Sequence, residues 1–181
     1  MSETTPDNNA APNGAQNTPG GGAEAQQGLG LRVLAQYLKD LSFESPKAPA
    51  IFAQAQQQPA IAVNVDVNAR AIGETQYEVE LTVGAKASHD NETAFVVETT
   101  YAGAFEIVGA PREQIEPILL IECPRLLFPF LRQVLADTTQ SGNFPPVMLD
   151  PIDFYAIYEQ RRRQGTTNPD NVDFGAQNPN A

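Results

Sequence analysis

Two stretches of the chain alternate between apolar and polar positions. In residues 61–69 the odd-numbered positions are Ile, Val or Ala, and the even-numbered ones are Ala, Asn or Asp. Residues 77–87 repeat the pattern, with Glu, Thr, Gly and Lys at the even positions. A period of two is typical of a strand with one buried face. The short glycine-containing stretch IGETQ between the runs predicts a hairpin.

A third run, residues 93–108, follows the short turn SHDNET and is apolar on both faces. One face carries Phe95, Val97, Tyr101, Phe105 and Ile107, and the other carries Ala94, Val96, Ala102, Ala104 and Val108. The connections are too short for parallel crossovers, so the sheet is predicted to be antiparallel. A strand that is apolar on both faces needs cover on both sides. We expect helices of this chain on one side and a second subunit on the other. An internal strand of a sandwich is the alternative, which the small number of further strands disfavours.

Residues 31–44, LRVLAQYLKDLSFE, fit two structures. Leucines at 31, 34, 38 and 41 suit a helix. Apolar residues at 33, 35, 37, 41 and 43 suit a strand that Lys39 interrupts. Periodicity alone leaves both readings open.

The pattern becomes helical after residue 110. Pro111, with acidic residues in the turn that follows, is a good helix start, and Pro117 would limit or kink that helix. A longer apolar stripe at helical spacing comprises Leu127, Phe130, Leu131, Val134 and Leu135. Gly142 is well placed to end that helix. Three prolines exclude a helix or central strand from NFPPVMLDPID, and a short amphipathic helix is predicted from Phe154. Strands followed by helices predict an α+β fold, with helices on one face of an antiparallel sheet.

Both ends of the chain differ in composition from the middle. Residues 1–30 and 165–181 are rich in polar and small residues and contain almost no large apolar side chains. Such segments cannot bury enough surface to offset the entropy of ordering. We therefore predict two disordered tails flanking one folded domain at residues 31–164.

The net charge of the chain limits the kinds of partner that we expect it to bind. A formal net charge of -11 disfavours nucleic acid and anionic membrane surfaces and favours a basic partner. The first residues lack the basic and apolar regions of a secretory signal, and no apolar stretch reaches the length of a membrane span. A single cysteine fits a reducing compartment. We expect a cytoplasmic protein.

Catalytic and metal-binding motifs are absent from the sequence. One histidine and one cysteine cannot form a zinc cluster, and no nucleophile elbow or phosphate-binding loop occurs. His89 lies in a polar turn, where a solvated residue is the expectation, and Cys123 is expected to be a small buried hydrophobe. We predict no catalytic residues, no metal site and no cofactor, and therefore a protein that is not an enzyme.

Aromatic residues cluster around the two proline-rich stretches. Core packing explains each one singly, but as a group they could line an extended apolar groove that a stiff loop cannot close. The group comprises Phe43, Phe52, Phe128, Phe130, Phe144, Phe154 and Tyr155.

Several segments resemble the SecB family of export chaperones. The stretch CPRLLFPFLRQVLADTTQSGNFPPVMLDPIDF is similar to the C-terminal half of that family, KDLSFESPKAP to its first strand and loop, and EVELTVGAKA and TAFVVETTYAGAFEI to its central strands. The resemblance covers residues 31–160 in the same order. It implies a four-stranded antiparallel sheet with helices on one face, a strand at 31–44, and a homotetramer built as a dimer of dimers. The implied function is to hold precursor proteins unfolded in the cytoplasm and deliver them to the SecA motor.

The resemblance also implies roles for particular residues. The acidic docking surface for SecA corresponds to Asp40, Glu44, Val96 and Glu98. The subunit contact corresponds to Val97, Thr99 and Tyr101. The precursor groove corresponds to Phe52, Leu126, Phe128, Phe130, Phe144 and Phe154.

Two other classes of function compete with this one. An enzyme or small-ligand binder would need a compact pocket with convergent polar groups, for which the sequence offers few candidates. An adaptor for folded partners would bind native proteins as well as denatured ones.

Overall fold

The computed structural model describes residues 28–54, 59–89, 92–164 and 172–173. The predicted N-terminal tail, apart from residues 28–30, and most of the predicted C-terminal tail lie outside these residues. The strands are β1 (Gly30–Glu44), β2 (Ala60–Ala71), β3 (Gln76–His89), β4 (Glu92–Val108) and β5 (Val172–Asp173). The helices are α1 (Arg112–Pro117), α2 (Cys123–Ser141) and α3 (Phe154–Arg163). A 3₁₀ turn at Ala50–Gln54 and a π-helical turn at Ile118–Glu122 complete them.

The four long strands form one antiparallel sheet in the order β1–β4–β3–β2. This confirms the antiparallel sheet and the β2–β3 hairpin predicted from the alternating runs. The two-residue strand β5 pairs in parallel with β2 at Ala69 and Arg70 and extends the sheet at that edge. The pattern of the sequence did not predict β5, because two residues are too few to show a period.

Strand β1 resolves the ambiguity of residues 31–44 in favour of a strand. Its pairing with β4 shifts between Val33 and Ala35 and again between Leu38 and Asp40, so Leu34 and Lys39 have no residue opposite them. Each extra residue is a β-bulge that reverses which positions face which side of the sheet. The two bulges explain why a strict strand period is interrupted in this segment and why periodicity alone leaves its structure open.

The two faces of the sheet differ in their cover. Residues 77–87 place their odd-numbered side chains on the face that α2 covers, and these are buried, as are Val67 and Ala69 of β2. On the same face α2 buries Leu127, Leu131 and Leu135 of the predicted apolar stripe, whereas Phe130 is exposed and Val134 is half-buried. A Cβ at Gly103 of β4 would lie 2.9 Å from Leu127 Cδ2, so glycine allows this close approach of helix and strand. The opposite face, which we call the polar sheet face, has no helix of the described residues upon it.

The helical half follows the prolines of the sequence. The α-helical turns that begin at Arg112 end at Pro117, since proline removes an N–H donor and its ring crowds the preceding turn. The π-helical turn then buries four apolar residues before α2 begins. Gly142 ends α2 as predicted. The proline-rich segment that follows is irregular, and it is fastened to α2 where the N–H of Val147 donates to Thr139 Oγ1 at 3.0 Å.

The last helix has identifiable start and docking contacts. The side chain of Asp153 caps α3 by accepting from the N–H of Ala156 at 3.0 Å. Near its other end, Arg161 donates to the carbonyl oxygen of Val67 at 2.7 Å and pairs with Asp66. Arg161 thus ties helix α3 to strand β2.

Candidate interaction surfaces

The four residues predicted to dock SecA lie together on the polar sheet face. Glu44 lies opposite Val96 and Ser42 opposite Glu98 in the pairing of β1 with β4, and Asp40 lies two positions further along. Directly opposite residues share a face, so all four predicted side chains point the same way. All four are exposed. The sheet therefore brings three carboxylates and Val96 to the same face of β1 and β4.

A buried carboxylate lies on the same face, near the start of β3. Glu78 of β3 is only 4% exposed, and it accepts from Tyr37, from Lys39 at 2.9 Å and from Arg70 at 2.5 Å. Burial alone would raise the pKa of Glu78. The hydrogen bonds from these three donors outweigh burial and lower the pKa to about 2. The network joins β1, β3 and β2 across the face.

The residues predicted at the subunit contact lie on the opposite face, beneath or beside α2. Val97 and Thr99 are fully buried within the chain, and Thr99 Oγ1 finds no hydrogen-bond partner among the described residues. Tyr101 is half-buried, and its ring stacks on Phe130 at 5.9 Å between centroids. Of the three, only Tyr101 reaches the surface of the single chain.

An apolar margin extends from Tyr101 onto β1. Leu38 lies opposite Tyr101 and Leu41 opposite Thr99, so both leucines point to the α2 side of the sheet. They are 44% and 40% exposed. Their exposure follows from dimensions, since a helix is about 10 Å across and four strands span roughly 15 Å or more. We call Leu38, Leu41 and Tyr101 the β1 margin.

The predicted precursor-binding residues fall into separate groups. Phe52 and Phe144 are half-buried and in contact, with ring centroids 5.3 Å apart. Phe144 also packs on Phe95 at 4.7 Å, and Phe95 stacks on Phe43 at 5.8 Å. These rings form an aromatic cluster where β1 ends and the proline-rich segment begins. Two members of the predicted set are thus partly accessible there.

The other four predicted residues lie along α2 and α3. Phe154 is fully buried, and the half-buried ring of Phe128 meets it edge to face at 6.1 Å. Leu126 and Phe130 project from α2 and are 42% and 48% exposed. Phe154 therefore packs beneath Phe128, while Leu126 and Phe130 are open to solvent.

Several exposed apolar residues were not predicted from the sequence as part of an interaction surface. Leu38 and Leu41 of β1 and Ile61 and Val63 of β2 all lie on the α2 side of the sheet and are at least two-fifths exposed. The alternation in residues 61–69 does place Ile61 and Val63 on the apolar face. It gives no signal of where the helices stop covering that face, and this decides their exposure.

The remaining reactive groups do not form a site. Cys123 is fully buried, and burial raises the pKa of its thiol, which makes it a poor nucleophile. The described residues contain no group of three His, Cys, Asp or Glu side chains that could hold a metal ion. Nor do they include a helix long and apolar enough to cross a membrane.

Comparison with solved structures identifies the class of fold. The chain superposes on a SecB-like chaperone from Mycobacterium tuberculosis, solved in complex with a peptide from an antitoxin, with a TM-score of 0.57. The match covers 67% of this chain and 90% of that one at 14% sequence identity. The fold is therefore that of SecB-like chaperones.

Comparison of sequences identifies the family. The model of the family described as preprotein translocase subunit SecB matches residues 24–165. Protein-export protein SecB of Maricaulis maris is 51% identical over 168 residues, covering 92% of this chain and 97% of the relative. That of Mesorhizobium japonicum is 53% identical over 155 residues, covering 85% and 90%. The chain belongs to the SecB family of protein-export chaperones. Since SecB chaperones are non-enzymatic, the expectation of a chaperone rather than an enzyme is confirmed.

The buried carboxylate yields a prediction about stability and pH. The variant Glu78→Gln keeps the shape of the side chain but loses the charge that three donors satisfy. We expect it to lower the free energy of unfolding at pH 7 by about 2 kcal/mol, a figure that allows for the partial exposure of Lys39 and Arg70. The pKa of Glu78 in the folded chain, about 2, lies below its usual value of 4.5. The stabilisation is therefore present above about pH 4.5 and disappears as the pH falls toward 2.

Urea unfolding of both proteins at pH 7 and at pH 3 measures this difference. The exposed Glu74→Gln variant is the control and should match the wild type at both values. A deficit of the Glu78→Gln variant that is as large at pH 3 as at pH 7 would contradict the assignment.

Proposed function

We propose that this chain works as a homotetramer, a dimer of dimers, that holds precursor proteins unfolded in the cytoplasm and delivers them to SecA. The observation that carries the proposal is the division of one sheet between two exposed surfaces. Its α2 side leaves apolar side chains open to solvent, and its polar sheet face gathers carboxylates. A client and a basic partner could then bind at the same time without competing.

The free edge of β1 supports assembly. Among the described residues β1 pairs only with β4, so the other edge of a fifteen-residue strand offers backbone donors and acceptors with no strand beside them. Such an edge is a template for pairing with another chain. The β1 margin beside it adds apolar surface. We therefore place the contact between subunits at β1, with Tyr101 at the surface and Val97 and Thr99 supporting it from within.

The proposed client groove uses the predicted aromatic residues with the roles that their burial allows. Leu126, Phe130, Phe52 and Phe144 offer accessible apolar surface. Phe128 forms part of the wall, and Phe154 fixes Phe128 from beneath. Each client side chain that becomes buried contributes about 1.5–3 kcal/mol before the cost of ordering is subtracted. One segment binds weakly, whereas several segments on one tetramer gain from effective concentration.

Selection of clients follows from the same physics. A folded protein buries its apolar segments and offers little to a groove of this kind, so chains that fold slowly are captured preferentially. With no nucleotide site predicted from the sequence, release depends on handover to a partner. The acidic surface formed by Asp40, Glu44, Val96 and Glu98 fits a basic segment of SecA, and binding should weaken with salt.

The domain boundaries predicted from the composition of the sequence are also part of this proposal. Residues 31–164 form the chaperone domain, with tails at 1–30 and 165–181. The family match over residues 24–165 supports these limits. Strand β1 begins at Gly30, and β5 falls within the predicted C-terminal tail.

Client binding is expected to depend on the exposed apolar residues of α2. The double variant Leu126→Ser and Phe130→Ser should weaken binding of a reduced, unfolded precursor about tenfold, because two apolar contacts are lost. Fluorescence titration with the precursor in its unfolded and its folded state measures the effect. Ile72→Ser with Val108→Ser, equally exposed but away from the groove, should bind as the wild type does.

Two results would count against a chaperone groove. Equal affinity for folded and unfolded precursor would favour an adaptor for native partners. Unchanged affinity in the α2 double variant, with the particle mass unaltered, would place the clients elsewhere.

SecA binding is expected to depend on the acidic surface and not on the client groove. Asp40→Lys with Glu44→Lys should abolish SecA binding and spare binding of unfolded precursor, since the two surfaces lie on opposite faces of the sheet. Glu74→Lys with Glu113→Lys changes the net charge equally at exposed positions elsewhere and should retain SecA binding. Calorimetric titration at two salt concentrations gives the affinities. Simultaneous loss of both activities in the first variant would refute the site assignment.

Assembly is expected to depend on the β1 margin. Light scattering should find about four chains per particle for the wild type. Leu38→Glu should yield smaller particles, because a buried charge in the contact is costly. Ser42→Glu, on the polar sheet face of the same strand, should leave the mass unchanged. A wild-type monomer at micromolar concentration would refute the dimer of dimers.

A further inference from the structure

A lysine stands immediately beside the proposed SecA-docking surface. Lys39 precedes Asp40 in the chain, and an ammonium group near that carboxylate would cancel part of its charge. The Lys39 ammonium instead lies 2.6 Å from Glu80 Oε1 and 2.9 Å from Glu78 Oε1. Both carboxylates belong to β3, two strands away from β1.

The local backbone and the small residues of β4 make this reach possible. Lys39 is the extra residue of the second β-bulge in β1, so no residue of β4 lies opposite it. Ala104 and Ala102, the β4 residues that pair with Glu78 and Glu80, carry only methyl groups. The side chain of Lys39 can therefore pass over β4, where a larger residue would block it.

Glu78, one of the two carboxylates that bind the Lys39 ammonium, is held in place by further hydrogen bonds. Glu78 is buried and also accepts from Tyr37, which lies opposite Ala102, and from Arg70 of the neighbouring strand. Two carboxylates thus hold the lysine, and three donors hold one of those carboxylates. Such a network keeps the ammonium on the β3 side of the face instead of leaving it to rotate toward Asp40.

We propose that Glu78 and Glu80 are positioning residues that draw the Lys39 charge away from the docking surface, leaving Asp40, Glu44 and Glu98 free to attract a basic partner. The inference rests on the proposed function, because it specifies what keeps that surface acidic. Lys86, exposed beside Val96, is another cation on this face, and its charge is the same in every variant below. Glu78 and Glu80 need not touch the partner.

A double-mutant cycle tests the inference on the full-length protein. Glu78→Gln with Glu80→Gln should weaken SecA binding roughly fivefold at low salt, because the released ammonium opposes a basic segment near Asp40. Lys39→Met should change SecA affinity less than twofold in the wild type. In the double-Gln background the same substitution should restore most of the loss, which a purely structural role of the carboxylates would not produce.

Controls separate the possible failures. Glu74→Gln with Glu106→Gln removes the same charge at the far end of the sheet and should leave SecA affinity within twofold of wild type. If the double-Gln variant does not fold, Glu80→Gln alone serves, since it removes the shorter of the two contacts to the ammonium and leaves Glu78 bonded to Tyr37 and Arg70. Lys39→Met should then shift SecA binding more in that background than in the wild type.

Two results overturn the inference. One is unchanged affinity in the variants that lack the β3 carboxylates, and the other is a Lys39→Met effect of equal size in both backgrounds. If Asp40→Lys with Glu44→Lys also binds SecA normally, the docking surface itself is wrong. If that variant loses SecA binding but Lys39→Met has the same effect in both backgrounds, only the positioning role of Glu78 and Glu80 is rejected.

Discussion

The mismatch between the width of the sheet and the width of the helical layer governs the molecule. Helix α2 covers the central strands β3 and β4, where the odd-numbered residues of 77–87 are fully buried. It cannot also cover the margins, so Leu38 and Leu41 on one side and Ile61 and Val63 on the other remain open. Apolar surface that a single chain cannot bury must meet solvent, another subunit or a client. The last two are the partners that we propose for this chain.

The other face of the same sheet is made in a different way. Its central strands carry Glu78, Glu80 and small residues in place of large apolar ones, so no second helical layer is needed. Charges there are arranged in pairs that span strands, and the buried carboxylate of Glu78 joins β1, β2 and β3. The order of the strands matters, because β4 lies between β1 and β3 and only its alanines allow the Lys39 contact. One layer of backbone thus separates an apolar surface from an electrostatic one.

Much of the fold was determined by the sequence. The strict alternation of residues 61–69 and 77–87 specified two strands and the hairpin between them, because a period of two leaves no other regular structure. The helical stripe ending at Gly142 specified α2. Segment 31–44 escaped such reasoning, since two bulges disrupt its period, and only likeness to a family pointed to a strand. The resemblance to the SecB family also pointed to the residues of the proposed acidic surface.

The tertiary structure, by contrast, decided which side chains are buried and which distant residues they contact. Phe130 and Leu131 are neighbours in one apolar stripe, yet one is half exposed and the other fully buried. Whether a residue of the stripe is buried or exposed depends on where the axis of α2 crosses the strands. The local sequence pattern does not encode that crossing. Lys39 and Asp40 are adjacent in the chain, so the sequence alone does not show that the folded protein directs their charges apart. This separation arises because folding brings Glu78 and Glu80 within reach of the lysine, about forty positions away along the chain.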